Sequence, residues 1–274
     1  MGQLGRSLAF FCPEKIMNLE PIGIYHSAQK YRFETPRQSV FIHNSGVISL
    51  NPGMNYETAL EDLEGFDRIW IIFQFHLNSN WKPKVRPPVA PGKERIGVFA
   101  TRSPHRPNPI GLSCVKLEKV DRLNIFVRDC DLLDGSPVFD IKPYIPAADS
   151  FPDAGTGWLN RVVPAEEYHV KFSPQAYEKI CFLKEHGFDA ETFCMLQLGT
   201  DPLNPERKRL FQTADGWEIG YRTWRISFTV EGNSVEICGI RSNYQEQELD
   251  AGTEDKYQDK WLHRKYRSVF PEKC

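Results

Sequence analysis

Three prolines within six residues, Pro104, Pro107 and Pro109, place the tightest limit on what this chain can fold into. Each proline fixes its backbone φ and removes a hydrogen-bond donor, so this segment can be neither a helix nor a central strand. The sequence therefore predicts a stiff loop after the apolar run that ends at Ala100. The loop carries four side chains able to bind a ligand: Arg102, His105, Arg106 and Asn108. Because a stiff loop loses little entropy on binding, we favour a ligand loop over a plain surface connector.

The first half of the chain has the pattern of short strands separated by Gly and Pro. Residues 68–75 form a continuous aromatic and β-branched run, which predicts a strand buried on both faces. Further strands are predicted at residues 113–117, 123–127 and 138–145. One helix is predicted over residues 56–64, between Asn55 and Gly65. Many strands with few helices favour an antiparallel barrel or sandwich, and the fold class is therefore mainly β.

The composition changes after the small-residue stretch at residues 147–157. Ser173 and Pro174 predict a helix that ends near Gly187, and a second helix is expected between Asp189 and Gly199. Residues 224–230 and 235–237 alternate and predict a hairpin. We therefore expect a small α+β C-terminal appendage. The predicted domains are an N-terminal extension at 1–17, a barrel at 18–160 and the appendage at 161–274.

Charge is distributed unevenly along the 274 residues. The formal net charge is −2, which excludes nucleic-acid binding by bulk charge alone. Residues 82–119, however, carry nine Lys or Arg and two Glu, and residues 256–274 carry six Lys or Arg and two acids. These basic segments suit a polyanionic partner better than an uncharged one.

The seven cysteines show no Cys-x-x-Cys pair and no regular spacing. This pattern predicts reduced, mostly buried thiols in a cytoplasmic protein, and no metal site. We expect no signal segment and no membrane-spanning stretch. A phosphate-binding Gly-rich loop, a His-Glu-x-x-His motif and a nucleophile elbow are also missing from the sequence. The residues alone therefore indicate a β-rich protein with a basic, proline-stiffened site.

Residues 101–111, Thr-Arg-Ser-Pro-His-Arg-Pro-Asn-Pro-Ile-Gly, resemble the signature of the TsaA-like, or TrmO, family of tRNA adenosine N6-methyltransferases. Five other blocks resemble that family in the same order: 35–38, 68–73 with His76, 86–88, 131–137 and 140–144. The resemblance extends from about residue 19 to residue 150 and is weaker beyond it.

The resemblance implies a single β-barrel that binds S-adenosylmethionine and works as a homodimer on tRNA. It implies methylation of N6 of threonylcarbamoyladenosine at tRNA position 37. Carried over residue by residue, the cofactor contacts fall on Pro36, Arg37, Gln38, His76, Leu77, Arg102, Leu112, Asp131, Leu132, Leu133 and Asp134. An arginine fork can pair the α-carboxylate of the cofactor, the aspartates can accept from its amine or ribose, and the leucines offer apolar wall.

Methyl transfer from a sulfonium depends mainly on alignment of donor and acceptor. If a proton acceptor takes part, the candidates are Asp134, Lys142 (if neutral) and Tyr144. We expect RNA contacts from Lys84, Arg86, His105, Arg106 and Asn108, with phosphates or the modified base as their targets.

One block departs from the family pattern. Where the family carries Asp-Pro-Arg-Pro-Ala-Tyr in a loop associated with tRNA engagement, residues 201–206 read Asp-Pro-Leu-Asn-Pro-Glu. The cation and the stacking ring are gone, although residues 207–209 are basic. Two alternatives therefore stay open: a non-catalytic RNA-binding barrel, and a methyltransferase of the same fold with another acceptor.

Overall fold

The computed structural model describes residues 18–31, 34, 44–90, 94–162, 166–204, 209–250 and 252–271. The predicted extension at 1–17 lies outside these residues, as do Pro36, Arg37 and Gln38 of the predicted cofactor set. The basic pair Arg207 and Lys208 after the altered loop also lies outside them.

Six strands of the first half close into a barrel, which confirms the mainly β fold class. Together with two short strands outside the barrel, the described strands of this half are, in chain order, β1 (Gly23–Ser27), β2 (Ser45–Leu50), β3 (Arg68–Gln74), β4 (Lys84–Val85), β5 (Ile96–Gly97), β6 (Ile110–Asp121), β7 (Asn124–Arg128) and β8 (Ser136–Pro143). The barrel order is β1-β2-β7-β6-β3-β8, and all of its neighbours are antiparallel. The short strands β4 and β5 pair with each other outside the barrel.

The barrel is filled by alternate residues of each strand. In β3 the side chains of Ile69, Ile71 and Phe73 are buried, whereas those between them are only half-buried. The predicted strand at 68–75 is thus confirmed, but its predicted burial on both faces is wrong. The outer face of β3 is partly open because a closed barrel surrounds its core with one layer of strands.

The helix predicted over residues 56–64 is wrong in its length. The structure has a single turn, α1 (Tyr56–Ala59), and then a separate 3-10 turn at Leu63–Gly65. Asp62 has a φ of 64° and interrupts helical hydrogen bonding between the two turns. Asn55 also has a positive φ, of 56°, and its side chain caps no backbone N–H.

The second half forms its own sheet and helices after a single turn, α2 (Pro146–Asp149). The elements are β9 (His169–Phe172), α3 (Pro174–Glu185), α4 (Ala190–Leu198), β10 (Leu210–Thr213), β11 (Gly216–Tyr221), β12 (Trp224–Glu231), β13 (Ser234–Ser242) and α5 (Lys260–Val269). The sheet order is β10-β11-β12-β13-β9, with β9 parallel to β13.

Sequence signals at the helix starts are confirmed. The Ser173 hydroxyl accepts a hydrogen bond from the N–H of Ala176, and the Asp189 carboxylate accepts one from the N–H of Thr192. The predicted hairpin is β12 and β13. The expectation of only two helices and a hairpin is wrong, since α5 and three more strands belong to this unit.

Strand register fixes which residues share an end of the barrel. Tyr25 lies opposite Ser136, and Phe73 lies opposite both Gly111 and Val138. The ends of β1 and β3 and the starts of β6 and β8 therefore meet at one end, which we call the Ser136 end. Gly111 is required there, because an added Cβ would lie 2.2 Å from the Phe73 ring.

Two further sequence expectations bear on the fold. No disulfide links the five cysteines that the structure describes. Only two of these five, Cys130 and Cys194, are buried, so the prediction of mostly buried thiols is wrong for the described cysteines. Among the described residues, none of the helices has the length and apolar character needed to cross a membrane.

Candidate cofactor and nucleic-acid site

The loop between β7 and β8, residues 129–135, crosses the Ser136 end and is fixed there by Asn44. The Asn44 side chain donates to the carbonyl of Cys130 at 2.6 Å and accepts from the Cys130 N–H at 2.8 Å. Leu132 is fully buried in the barrel core. Buried backbone N–H and C=O groups must be hydrogen-bonded. The side-chain amide of Asn44 pairs both backbone groups of Cys130, which none of the described strands does. Asp131 and Asp134 are thereby held on either side of a buried anchor.

Asp131 belongs to a polar cluster that joins β6 to the signature loop. The Ser113 hydroxyl, which faces into the barrel, donates to the Asp131 carboxylate. Burial raises the pKa of the Asp131 carboxyl, and the Ser113 hydrogen bond and the positive charge of Arg102 counteract that rise. The charge of Arg102 therefore acts on Asp131, and the sequence predicts both residues as cofactor contacts.

Asp134 is held by backbone of the segment after β1. Its carboxylate accepts from the Ser27 N–H at 3.0 Å, and its own N–H donates to the Gln29 carbonyl at 2.8 Å. The Nδ1 atom of His26 lies 3.7 Å from the same carboxylate, whose side chain is 30% exposed. Asp134 is therefore both fixed in place and open to a ligand.

His76 lies beside the same loop. Its Nδ1 is 3.3 Å from the hydroxyl of Ser136, and an added Cβ at Gly135 would lie 3.8 Å from its Nε2. Leu77 and Leu112 are 43% and 57% exposed. Exposed large apolar side chains next to fixed polar groups are typical of a ligand surface.

Not every predicted cofactor residue offers its side chain. Leu132 is completely buried in the core, so only its backbone is available to a ligand. Leu133 is half-buried, and its carbonyl accepts from the Ser136 N–H at 3.1 Å.

The signature loop is stiff, and its own side chains contribute to that stiffness. The Arg106 guanidinium donates to the carbonyls of Thr101 and Val98, at 2.8 and 3.2 Å. The Pro109 carbonyl accepts from the Phe75 N–H at 2.8 Å, which ties the loop to the end of β3. Some of the N–H donors of Arg106 therefore form hydrogen bonds inside the loop.

The predicted RNA contacts border the same region. Lys84, Arg86 and Asn108 are exposed, whereas His105 is half-buried with its Nδ1 3.5 Å from the side-chain amide of Asn78. The His105 carbonyl accepts from the Lys82 N–H at 3.1 Å, which joins the loop to the basic segment.

Two candidate proton acceptors do not join the cluster. Lys142 lies opposite Trp70 in the β3–β8 register. Tyr144 lies just after β8, and its N–H donates to the carbonyl of Arg68 at the start of β3. At the usual rise per strand residue, Lys142 lies roughly 20 Å along β8 from Ser136. The Lys142 ammonium is 3.1 Å from the Asp140 carboxylate. Within one chain, only Asp134 of the three candidates lies with the predicted cofactor residues.

Sequence reasoning missed the residues that support the cluster, chiefly Ser113, Asn44 and Ser136. Ser113 had a visible signal, since it occupies an inward position of an alternating strand where apolar residues are expected. Asn44 acts on Cys130 from 86 residues away, and that pairing has no local signal.

Comparisons with known proteins show which family the chain belongs to. Residues 24–150 match the family model described as the tRNA-methyltransferase O N-terminal domain. The chain is 38% identical over 220 residues to the tRNA (adenine(37)-N6)-methyltransferase of Escherichia coli (strain K12), covering 77% of this chain and 90% of that one. It is 42% identical over 173 residues to a putative S-adenosylmethionine-dependent methyltransferase RcsF of Pseudomonas aeruginosa, covering 62% and 70%. The crystal structure of TrmO from Pseudomonas aeruginosa superposes with a TM-score of 0.62 at 28% identity, covering 83% and 99%.

Replacing Ser113 by Ala should raise the pKa of the Asp131 carboxyl further, because the charged form loses a hydrogen bond. A carbon-13 NMR titration of the aspartate carboxyls measures this shift. Ser136→Ala is the control, since that hydroxyl faces His76 and should leave the Asp131 titration unchanged. A pKa that stays the same or falls in Ser113→Ala would contradict the described cluster.

Proposed function

Because the chain belongs to the tRNA-methyltransferase O family, we propose that it transfers a methyl group from S-adenosylmethionine to N6 of adenosine 37 in tRNA. The relatives named as tRNA (adenine(37)-N6)-methyltransferases support the reaction and the substrate class. Relatives named for S-adenosylmethionine support the methyl donor.

The observation that carries this proposal is the cluster at the Ser136 end. It combines a cation on the signature loop, two carboxylates on the 129–135 loop, and the exposed apolar side chains of Leu112 on β6 and Leu77 in the turn after β3. That donor set fits S-adenosylmethionine, which presents a carboxylate, an amine, a ribose diol and an apolar face. When bound, the cofactor supplies a methyl group on a positively charged sulfur.

We assign roles to the described residues of that set. Arg102 pairs the α-carboxylate of the cofactor, and Asp134 accepts from its amine or ribose. Leu77 and Leu112 cover its apolar parts, and His76 borders it beside Ser136. The Asp131 carboxylate accepts from the Ser113 hydroxyl, and it sets the charge balance around Arg102.

We propose threonylcarbamoyladenosine at position 37 as the acceptor. The acyl group on N6 makes its proton more acidic than that of plain adenosine, so the chain needs alignment more than it needs a strong base. If a side chain accepts the proton, Asp134 is the best candidate because it lies partly exposed at the Ser136 end.

The RNA side of the proposal uses the basic rim of the same region. Lys84 and Arg86 are free to reach phosphates, while Arg106 and His105 also shape the loop that presents Asn108. We extend the proposal to a cytoplasmic homodimer, as the resemblance implies. We also propose that residues 18–160 form the catalytic barrel domain and residues 161–274 the C-terminal domain.

A second candidate is a methyltransferase of the same fold with another acceptor. The altered loop favours it, since Leu203 is 37% exposed where the family pattern has arginine. The Asn204 side chain donates to the Asp201 carboxylate at 2.8 Å, which closes a turn over residues 201–204. Neither side chain replaces a phosphate-binding cation.

Mass spectrometry of nucleosides tests the proposal directly. Purified protein and S-adenosylmethionine are incubated with tRNA that bears threonylcarbamoyladenosine and with the same tRNA lacking the modification. A gain of one methyl on the modified nucleoside alone supports both the reaction and the acceptor. Cofactor binding without any gain points to the second candidate. Absence of cofactor binding revives a non-catalytic RNA-binding barrel.

Replacing Arg102 by Ala should weaken S-adenosylmethionine binding by about tenfold or more, because a charge-assisted hydrogen bond is lost. Isothermal titration calorimetry measures the affinity. Arg95→Ala serves as the matched control, since Arg95 is an exposed arginine of the same basic segment. Unchanged affinity in Arg102→Ala would remove Arg102 from the cofactor site.

Reversing the charges of Lys84 and Arg86 to Glu should lower tRNA affinity and leave cofactor affinity intact. The slope of log affinity against log salt should become shallower by about 1 to 2, because fewer counterions are released. Filter binding across a salt series measures this slope. If cofactor affinity fell as well, misfolding of the variant would be the better explanation.

A further inference from the structure

A buried ion pair joins the second sheet to the segment after β1. The Arg222 guanidinium donates from Nε and Nη2 to the two carboxylate oxygens of Glu34, with an Nη2–Oε2 distance of 2.8 Å. The Arg222 side chain is 8% exposed and that of Glu34 is 1% exposed. The fork geometry requires arginine, since an ammonium cannot make two parallel bonds to one carboxylate.

Arg222 is held firmly on its own side of this pair. It lies between β11 and β12 with a φ of 50°, a backbone conformation that is uncommon for a bulky residue. Its guanidinium carbon lies 4.9 Å from the ring centre of Tyr31, 5.4 Å from that of Phe188 and 5.6 Å from that of Tyr221. The cation is therefore flanked by aromatic rings from both halves of the chain.

Glu34 also hydrogen-bonds to the backbone of the segment after β1. The Glu34 carboxylate accepts from the N–H of Lys30 at 2.8 Å and from that of Tyr31 at 3.1 Å. The Arg222 Nη2 also lies 3.4 Å from the Ala28 carbonyl. Residues 27–31 together with Glu34, which we call the strap, are thus organised around one ion pair.

The other end of the strap holds Asp134. The Ser27 N–H donates to the Asp134 carboxylate, and the Gln29 carbonyl accepts from the Asp134 N–H. Gln29 is buried, and its side-chain oxygen lies 3.5 Å from the amide nitrogen of Asn44. Hydrogen bonds at both ends, joined by the backbone of the strap, therefore link Arg222 to the 129–135 loop.

We propose that Arg222 is a positioning residue for the cofactor site, and that it acts through Glu34 and the strap on Asp134. This inference rests on the proposed function, because Asp134 matters here as a cofactor contact. Arg222 touches no reacting atom. It fixes the strap, and the strap fixes the carboxylate that meets the cofactor.

The experiment compares Arg222→Ala, Arg222→Lys and Glu34→Gln with the parent chain. Arg241→Ala is the control, since Arg241 makes a bidentate pair with Glu218 on the same sheet but at an exposed position. Three readouts are taken on each protein: the Kd of S-adenosylmethionine by calorimetry, the melting temperature, and amide hydrogen exchange in peptides covering 27–31 and 131–136. Steady-state kinetics then separate KM for the cofactor from kcat.

Arg222→Ala should raise the Kd and KM for S-adenosylmethionine by about tenfold, with a smaller change in kcat, because a displaced carboxylate weakens cofactor placement. Exchange at 27–31 and at 131–136 should speed up together. Arg222→Lys keeps the positive charge but cannot donate two parallel hydrogen bonds, so its effects on Kd, KM and hydrogen exchange should be intermediate. Arg241→Ala should match the parent chain.

Several outcomes would overturn the proposal. Unchanged cofactor affinity in Arg222→Ala, with exchange faster at 27–31 only, would leave Arg222 as a latch between the two halves. Uniformly faster exchange in every peptide of Arg222→Ala signals global unfolding, and Glu34→Gln and Arg222→Lys then decide. If both bind the cofactor as the parent does, the proposal fails.

The readouts also separate this proposal from the proposed function. A parent chain that binds no S-adenosylmethionine contradicts the function, whatever Arg222 does. Exchange at 131–136 in the Arg222 variants still shows whether the ion pair positions the Asp134 loop.

Discussion

Closure of the barrel between β1 and β8 is the constraint on which the candidate site depends. The pairing of Tyr25 with Ser136 brings Ser27 to Asp134, which is 107 residues away in the chain. A closed barrel leaves no unpaired sheet edge, so the ends of the strands are set by register rather than by flexible loops. The loops at the Ser136 end therefore start from fixed points. Short side-chain contacts such as that of Asn44 with Cys130 are then enough to hold them.

This scaffold gives two aspartates of one loop different properties. Burial raises the pKa of the Asp131 carboxyl, and the Ser113 hydrogen bond and the charge of Arg102 counteract that rise. Asp134 is partly exposed, and its carboxylate is held by a backbone N–H. The two carboxylates therefore differ in their partners: Asp131 is bound by a barrel side chain, and Asp134 by a backbone N–H.

Local patterns predicted what local physics controls. Alternation predicted β6 and β7, and a continuous apolar run predicted β3, whereas β1 and β2 were not predicted. Ser173 and Asp189 identified two helix starts because capping involves near neighbours. Helix α5 was missed because its basic residues resemble a solvated tail, although Leu262 and Tyr266 are buried. The family resemblance supplied the cofactor residues; their supporting partners come from distant parts of the chain and have no local signal. Nearness in a motif also misled the grouping of Lys142 with Asp134, since an extended strand carries the two far apart.

The two halves of the chain have separate hydrophobic cores, which share no residue. The buried Arg222–Glu34 ion pair connects the two halves, and the rings of Tyr31 and Tyr257 also meet there. Removing two charges from water costs free energy that their attraction only partly offsets, so such a pair is a poor source of stability. It is better suited to fixing one arrangement, because a buried charge without its partner is strongly unfavourable. An apolar contact would allow the strap to shift along the second sheet. A two-pronged ion pair permits one position, and that position is transmitted to Asp134 through the Gln29 carbonyl.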